Sequence, residues 1–559
     1  MNVVLAVKQY INAMIRDSGP GMKVLLMDKE TTSIVSMVYS QSEILQKEVY
    51  LFELLSNSSR ESMKHLNAIC FLRPTPENVA TLSDELKSPK YSSYFVYFSN
   101  RLKDEDVKAL AQSDEHESVK EIKEFYGDFI AVSQHLFSFN IPVSTQRENA
   151  EWREGVFPRV AHGLIAVLLA LKKKPFIRFT ASSPNTKRLA EHIDGYMTKN
   201  HSLFTFAGEI PPLLLILDRK DDPITPLLSE WTYQAMVHEL LGIHNHRVDL
   251  SKAPGISREL HEVVMSPEQD EFYRANMYLN FGDIGTNIKD LMEQYQEKSV
   301  SRQQIESISD MKKFVENFPE FRKLSGTVSK HVAVISEMSR IVREHQLMEV
   351  SETEQDIATQ GEKRVILDTL DRLCDSPKTR AEDCLRLGLL FSIRYEKDTG
   401  DVERVRNRVA ASKSLKDDQM AVFKSISGYT SRALRSVDLF EDRNPLAITK
   451  RFLRGVKDVE NVYTRHKPLL SDLLDQVFKG KLKESVFPFI GPTKPTDRPQ
   501  DIIVFVVGGV TYEEAMAVAM LNKATPGVRI VLGGTTVHNS HSFLEEVCAT
   551  MTYSGSLSV

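Results

Sequence analysis

"LLLILDRKDDPITPLLSEWTYQAM", residues 213–236, drives an apolar run straight into a cluster of charge. Leu213 to Leu217 are unbroken hydrophobics that end in Asp218, the pattern of a strand buried on both faces of a parallel sheet. Arg219, Lys220, Asp221 and Asp222 follow at once. A phosphatase of the haloacid-dehalogenase type would end such a strand in Asp-x-Asp, one carboxylate serving as nucleophile and the other as acid. Here the second acid, Asp221, comes one residue too late for that spacing. The cluster therefore reads as a structural corner, in which acids cap the chain after Pro223 and pair with Arg219 and Lys220. Thr225 before Pro226 suits an N-cap with proline at the first helical position.

Working outward, "PFIRFTA" (175–181), "DIIVFVVGG" (501–509) and "GVRIVLGG" (527–534) share this buried-strand character. Upstream, "KVLLMD" (23–28), "VYLFELL" (49–55), "AICFLRP" (68–74), "SYFVYFS" (93–99) and "GDFIAVS" (127–133) alternate with helical patterns such as "TPENVATLSDELKS". That alternation predicts α/β units with mostly parallel sheets. Between Asp218 and Asp501 the pattern is mostly helical, so a large α-rich insertion interrupts the second sheet and makes its domain discontinuous. Within the insertion, residues 300–350 read as two helices meeting around Pro319. On the second, Leu324, Val328, Val332, Ile335, Ser339 and Val342 recur at intervals of three or four, a stripe fit for a groove or a partner helix.

At 559 residues and 42% hydrophobic, the chain exceeds what one core serves. Its net charge is −5 with Lys and Arg scattered, which argues against nucleic acid or a strongly anionic membrane as the main partner. The four cysteines, Cys70, Cys374, Cys384 and Cys548, are isolated in sequence and read as reduced thiols of a cytosolic protein. The first residues carry Val3, Val4, Val7, Ile11, Met14 and Ile15 at helical spacing, as a packed helix does. "LIAVLLAL" (164–171) is far short of the ~20 residues that span a bilayer, so membrane association is expected only through partners. "VVGGVTYEEA" (506–515) lacks GxGxxG, and no P-loop pattern occurs. In "HELLGIHNH" (238–246), His238 and His244 are spaced wrongly for a zincin pair. No metal or other cofactor is expected.

The run "LDRKDDPITPLLSEWTYQAM" resembles the signature of the Sec-one/Munc-eighteen (SM) family of syntaxin-binding proteins. "MKVLLMD" near the start, "FGDIG" (281–285) and "IIVFVVGGVTYEEA" follow in the family's order across nearly the whole chain. "SMKHLNAICFLRPTPENV" and "EFYGDFIAVSQHLFS" resemble the family's endosomal and trans-Golgi branch. The resemblance implies an arch-shaped, non-catalytic protein of three domains: 1–136, α/β and syntaxin-binding; 137–212 with 485–559, a discontinuous α/β domain; and 213–484, mostly helical, with a SNARE-binding hairpin around 295–350. It implies a cytoplasmic regulator of membrane fusion, recruited peripherally to endosome and trans-Golgi membranes. The implied partners are a syntaxin of that class, a vesicle SNARE, and assembled or half-assembled SNARE bundles.

Carried over position by position, the family's pocket for a syntaxin N-terminal peptide falls on Val107, Leu110, Ile122, Glu124 and Phe125. Read without the family, Val107, Leu110 and Ile122 are core residues of amphipathic helices. The family's hairpin falls on Pro319 as hinge, with contacts at Phe321, Leu324, Val328 and Val332. Asp218, Arg219, Asp221 and Trp231 become a buried structural junction. In the neuronal branch an arginine follows the aspartate that matches Asp28; Ser33 stands there instead, so the resemblance does not extend to that clamp on a closed syntaxin. The rival reading is a nucleotide- or phosphate-handling α/β enzyme built on Asp218, Asp221 and the Gly508–Gly509 turn.

Overall fold

The computed structural model describes residues 1–145, 151–206, 208, 210–300, 308–359, 361–413, 415, 417–440, 463–491 and 498–549. The chain divides into two compact units. One comprises Met1–Asp218, Gln476–Val510 and Val518–Val537; the other comprises Arg219–Asp475, Thr511–Ala517 and His538–Val559.

The first unit carries two sheets. Strands β1 (Lys23–Met27), β2 (Val49–Leu54), β3 (Met63–Leu72), β4 (Tyr91–Phe98) and β5 (Val119–Glu124) form a parallel sheet in the order β2-β1-β3-β4-β5. It is served by α1 (Val3–Asp17), α2 (Lys29–Val38), α3 (Gln41–Leu45), α4 (Pro76–Lys87) and α5 (Asp104–Ser113). The crossover helices α2 and α4 begin where their sequence caps them. Asp28 accepts the Glu30 and Thr31 N–H groups at 2.8 Å to start α2, and Thr75 accepts the Asn78 N–H at 3.2 Å, ahead of Pro76 in the first turn of α4. One face of the sheet buries Val24, Leu26, Cys70, Val96 and Phe98 with Leu82, Leu86 and Leu110 from α4 and α5.

β5 has no counterpart among the strands expected from the sequence, and Ile122 lies on it rather than on an amphipathic helix. "VKEIKE" hides its strand because Val119 and Ile122 are three apart, a helical interval. The register explains this. Tyr94 pairs with Val119 but Phe95 pairs with Glu121, so Lys120 is an inserted residue that resets the alternation and puts Val119 and Ile122 on one face.

The second sheet has the order β6-β7-β14-β12-β9-β8, from β6 (Ile130–Ser133), β7 (Leu136–Ser138), β8 (Phe176–Phe179), β9 (Leu213–Asp218), β12 (Asp501–Val507) and β14 (Arg529–Gly534). The intervening β10 (Arg247–Asp249) and β11 (Glu262–Val264) make a separate hairpin, and β13 (Val510–Thr511) is a two-residue strand. β9 is buried along its whole length and pairs in parallel with β12 and β8, as its apolar run demands. "GDFIAVS" was expected in the first sheet. It instead supplies β6, antiparallel to β7 in the second, because the two residues between them allow only a local hairpin. At Gly533 an added Cβ would sit 2.0 Å from the Phe137 ring, so the β7–β14 contact tolerates no side chain there. Helices α6 (Val156–Ala170) and α7 (Pro184–Lys199) belong to this unit.

The second unit is mostly helical: α8 (Tyr233–Leu240), α9 (Glu271–Asn276), α10 (Phe281–Val300), α11 (Ile308–Glu344), α12 (Leu347–Ala358), α13 (Lys363–Asp375), α14 (Ala381–Arg394), α15 (Thr399–Lys413) and α16 (Asp417–Tyr429). Its core gathers Leu370, Leu387, Leu390, Phe391, Val409 and Ile426. The two helices expected to meet around Pro319 are one, since α11 runs unbroken from Ile308 to Glu344. An interior proline costs about 3 kcal/mol. A helix of 37 residues, anchored through the fully buried Val334 and Met338, retains enough other bonds to carry that cost. Among the described residues no helix is long and apolar enough to cross a membrane.

Candidate functional site

Three places were expected to matter, and each can be built from its residues. β5 forms the edge of the first sheet, and α5, which precedes it in the chain, packs against α4. Val107 is 40% exposed while Leu110, one turn on, is 1% exposed and packs in the core with Ile122 at its margin. Ile122 is half-buried on the edge strand, one flank of which has no neighbouring strand among the described residues. Glu124 is held from two sides: it accepts the Leu102 N–H at 2.8 Å and the Tyr126 hydroxyl at 2.8 Å. Asp104, Glu105 and Asp106 open α5, so the helix that carries Val107 and Leu110 begins in three acidic groups. Phe125 is not brought to this face. Its ring stacks on Tyr10 at 5.2 Å and on Tyr97 at 5.0 Å, on the α1 side of the sheet.

Asp28, at the end of β1, is more than a cap. Its second oxygen accepts the Arg73 N–H and the Asn78 amide, both at 2.7 Å. Arg73 continues to Glu30 at 2.9 Å and to the buried Asp128 at 3.1 Å, and Arg159 reaches Asp128 at 3.3 Å. The Ser33 hydroxyl donates to the Lys29 carbonyl at 3.2 Å within α2.

The stretch that opened the sequence reading is buried, and its charges are occupied one by one. Asp218 accepts the Ser183 hydroxyl at 2.6 Å. Arg219 reaches a carboxylate far along the chain as well as its own segment. One of its guanidinium nitrogens reaches both oxygens of Glu514 at 2.6 Å, and another donates to the Asp222 carbonyl at 3.0 Å. Asp221 accepts the Ser436 N–H at 2.7 Å. Asp222 accepts the Thr225 N–H, the Thr225 hydroxyl and the Leu469 N–H at 2.7–3.1 Å. Thr225 is therefore not an N-cap: it opens the short 3-10 turn Thr225–Leu227, and its N–H is held by the Asp222 side chain three residues earlier. Burial pushes the Asp222 carboxyl up, but Arg219 and His466 outweigh it and hold the group below its ordinary value. Trp231 donates its indole N–H to Ser351 at 2.6 Å and packs on Tyr463.

Beside the junction, Ser229 gives its N–H to Glu354 at 2.7 Å, and Arg386 gathers Glu354 and Glu239 at 2.8 Å and Asp383 at 3.2 Å. Glu230 and Glu513 line the same small cavity, and burial, then Glu513, pushes the Glu230 carboxyl well above its ordinary value. Sequence reading missed Ser183, Ser351, Glu354, Arg386 and the role of Glu514, because their partners lie 35 to 295 positions away along the chain. The one local signal was charge inside an apolar run, as in "AEDCLRLGLLFSI". His238 accepts the Ile243 N–H at 3.1 Å and meets the Tyr512 ring edge-on. Among the described residues no three His, Cys, Asp or Glu side chains converge as metal ligands.

On α11, Val328 is buried and Leu324 and Val332 are half-buried. Between them the buried His331 meets the Tyr233 hydroxyl at 2.8 Å and Asp270 at 3.0 Å. The side chains of Pro319 and Phe321, and residues 301–307 of the expected 295–350 hairpin, lie outside the described residues.

Compared with known proteins, residues 23–546 match the pattern of the Sec1 family. The chain is 57% identical to "Vacuolar protein sorting-associated protein 45" of Rattus norvegicus over 563 residues, covering 100% of this chain and 98% of that one. It is 36% identical to the protein of the same name from Saccharomyces cerevisiae, covering 94% of each. Its fold is similar to the solved "SM Protein Vps45 in Complex with Qa SNARE Tlg2 (1-310)", with a TM-score of 0.92 and 45% identity over 98% of each chain.

Proposed function

Because this chain belongs to the Sec1 family, we propose that it is an SM-type regulator of SNARE-mediated membrane fusion that binds a syntaxin-class Qa SNARE. The observation that carries this reading is the similarity, over nearly the full length of both chains, to an SM protein solved with a Qa SNARE. The syntaxin's N-terminal peptide docks on Val107, Leu110, Ile122 and Glu124, with the acidic start of α5 favouring a cationic peptide. Phe125 supports this edge from behind by stacking between Tyr10 and Tyr97. A vesicle SNARE helix lies along α11 at Pro319, Phe321, Leu324, Val328 and Val332 by helix-in-groove packing. Holding both in register offsets part of the ordering entropy that SNARE assembly costs. The working compartments are the endosome and trans-Golgi network, reached by peripheral recruitment.

The three-domain division is part of this proposal, with one sheet in each of the first two domains. The pairing of β9 on both sides within the second sheet supports extending the second domain from residue 212 to Asp218. The protein is not an enzyme in this reading: the acids a phosphoryl-transfer site would use are each held by a protein donor or by Arg219. Thermal denaturation with ATP, GTP and Mg²⁺, set against a syntaxin N-terminal peptide, tests the choice. A shift with peptide alone is expected; a shift with nucleotide at modest concentration would reverse the assignment.

Ile122→Arg places a charge on the apolar floor of the peptide site. It weakens N-peptide binding by about 2 kcal/mol, about thirtyfold, with the melting temperature little changed because Ile122 is only half-buried. Calorimetry giving unchanged affinity in the folded variant would move the peptide site elsewhere.

A further inference from the structure

The second sheet has a basic end. Strands β8, β9, β12 and β14 run parallel, so their first residues share one end of the sheet. Lys172, Lys173 and Lys174 lead into β8, Asp501 opens β12 and Arg529 opens β14. Asp501 draws two of these cations to itself: Lys173 at 2.6 Å, and Arg529 through both oxygens at 2.6 and 2.9 Å. Lys523 stands in the last turn of the helix Tyr512–Ala524. Its neighbour Asn522 is tied to β14, accepting the Ile530 N–H at 2.7 Å and donating to the Ile530 carbonyl at 2.8 Å.

One acid answers these five cations. Residues 168–176, 499–503 and 518–530 contain no carboxylate other than Asp501. Lys172, Lys174 and Lys523 are exposed, and none of the three side chains has a partner among the described residues. The start of α1 reaches the same end of the sheet. The Val3 N–H donates to the Gln134 carbonyl at 3.1 Å, and the next residue, His135, accepts the Leu532 N–H of β14 at 2.8 Å. The Met1 amine lies within Coulombic reach of Arg529, Asp501 and Lys173. Leu5, in the first turn of α1, is 52% exposed.

Unpaired lysines are point charges on flexible stems, which suits a fluid array of anionic headgroups; a single fixed anion is better matched by the planar fork of arginine. An exposed leucine beside such lysines adds apolar contact at the headgroup boundary. We propose that this end of the second sheet is a membrane contact, in which Lys172, Lys174 and Lys523 settle on anionic lipid headgroups and Leu5 enters the interface. Each lysine raises partitioning about fivefold near a charged bilayer. Because the whole chain carries −5, the contact is local: the basic end is drawn to the bilayer while the remaining surface is not. This contact goes beyond recruitment through a SNARE and operates without one, so it stands or falls separately from SNARE binding.

The test floats the full-length protein, with no SNARE present, on vesicles of phosphatidylcholine alone and on vesicles that also hold about one-third phosphatidylserine. The expected result is flotation with the anionic vesicles only, lost as salt is raised, because exposed charges are screened. Lys172→Gln combined with Lys174→Gln weakens partitioning about twenty-five-fold and leaves the melting temperature unchanged, since neither side chain has a partner to lose. Leu5→Ser weakens partitioning severalfold. Lys252→Gln combined with Lys397→Gln, two exposed lysines of the other compact unit, leaves it as it was. Flotation equal on both vesicles, no flotation on the anionic ones, parental binding by the Lys172 and Lys174 variant, or an equal loss in the Lys252 and Lys397 variant would overturn the proposal. Binding of poly-glutamate without binding of anionic vesicles would also overturn it, making this end a site for an acidic protein.

Discussion

Arg219→Met lowers the unfolding free energy by about 3–5 kcal/mol at neutral pH, the cost of leaving one member of a buried ion pair without its partner. The partner is Glu514, 2% exposed, whose two oxygens both receive the Arg219 guanidinium. Burial already pushes the Glu514 carboxyl above its ordinary value, with Arg219 pulling against it. Without Arg219 that restraint is gone and folding must protonate the acid. A carboxyl whose folded pKa is raised binds more protons folded than unfolded, so the variant's deficit is smallest near pH 5 and grows as pH rises. Pairing the change with Glu514→Gln restores most of the loss, because the amide oxygen still accepts the Thr511 N–H that Glu514 now holds at 2.9 Å. Chemical denaturation measures all three proteins. A single variant as stable as the parent, or a double variant no better than the single, contradicts a buried pair at this junction.

The second large effect belongs to pH. Glu513 is buried and its carboxyl is pushed up to about 7, first by burial, while burial and Glu513 together push Glu230 well above the usual range. Two carboxyls that line one small cavity cannot both ionise cheaply, so the pair retains a proton. The folded state therefore binds more protons than the unfolded one between the ordinary glutamate value and about 7. Stability from this pair is complete below that window and is lost as pH rises through it, on the order of 3 kcal/mol for a shift of this size. Glu513→Gln gives Glu230 a neutral donor and flattens the profile between pH 5 and 8. Other groups titrate in that range, His331 with a lowered pKa and Glu354 with a value pushed up to about 7, but they are common to both proteins. The variant-minus-parent difference isolates the pair, and a difference independent of pH would show that no proton is shared.

Much of the layout was legible in the sequence because parallel strands buried on both faces announce themselves as unbroken apolar runs, as Leu213–Leu217 and Ile502–Val507 do. What failed was local geometry that breaks a simple period. The inserted Lys120 disguised β5 as helix; a two-residue connection drew β6 into the other sheet; and α11 absorbed Pro319, where proline in isolation reads as a break. The charged junction was recognisable as structural from the spacing of its acids. Its true pairing was not, since Arg219 meets Glu514, 295 positions further along the chain. Period and spacing report on neighbours along the chain, whereas ion pairs are chosen by the finished packing.

The central claim is that this protein engages a Qa SNARE, and one titration tests it most directly. The cytosolic part of a syntaxin of the endosomal and trans-Golgi class is titrated calorimetrically into the full-length protein, first intact and then without its N-terminal peptide. The account predicts saturable one-to-one binding that weakens when the peptide is removed. Absence of binding by the intact cytosolic part of every syntaxin of that class, with the protein shown to be folded in the cell, would contradict it.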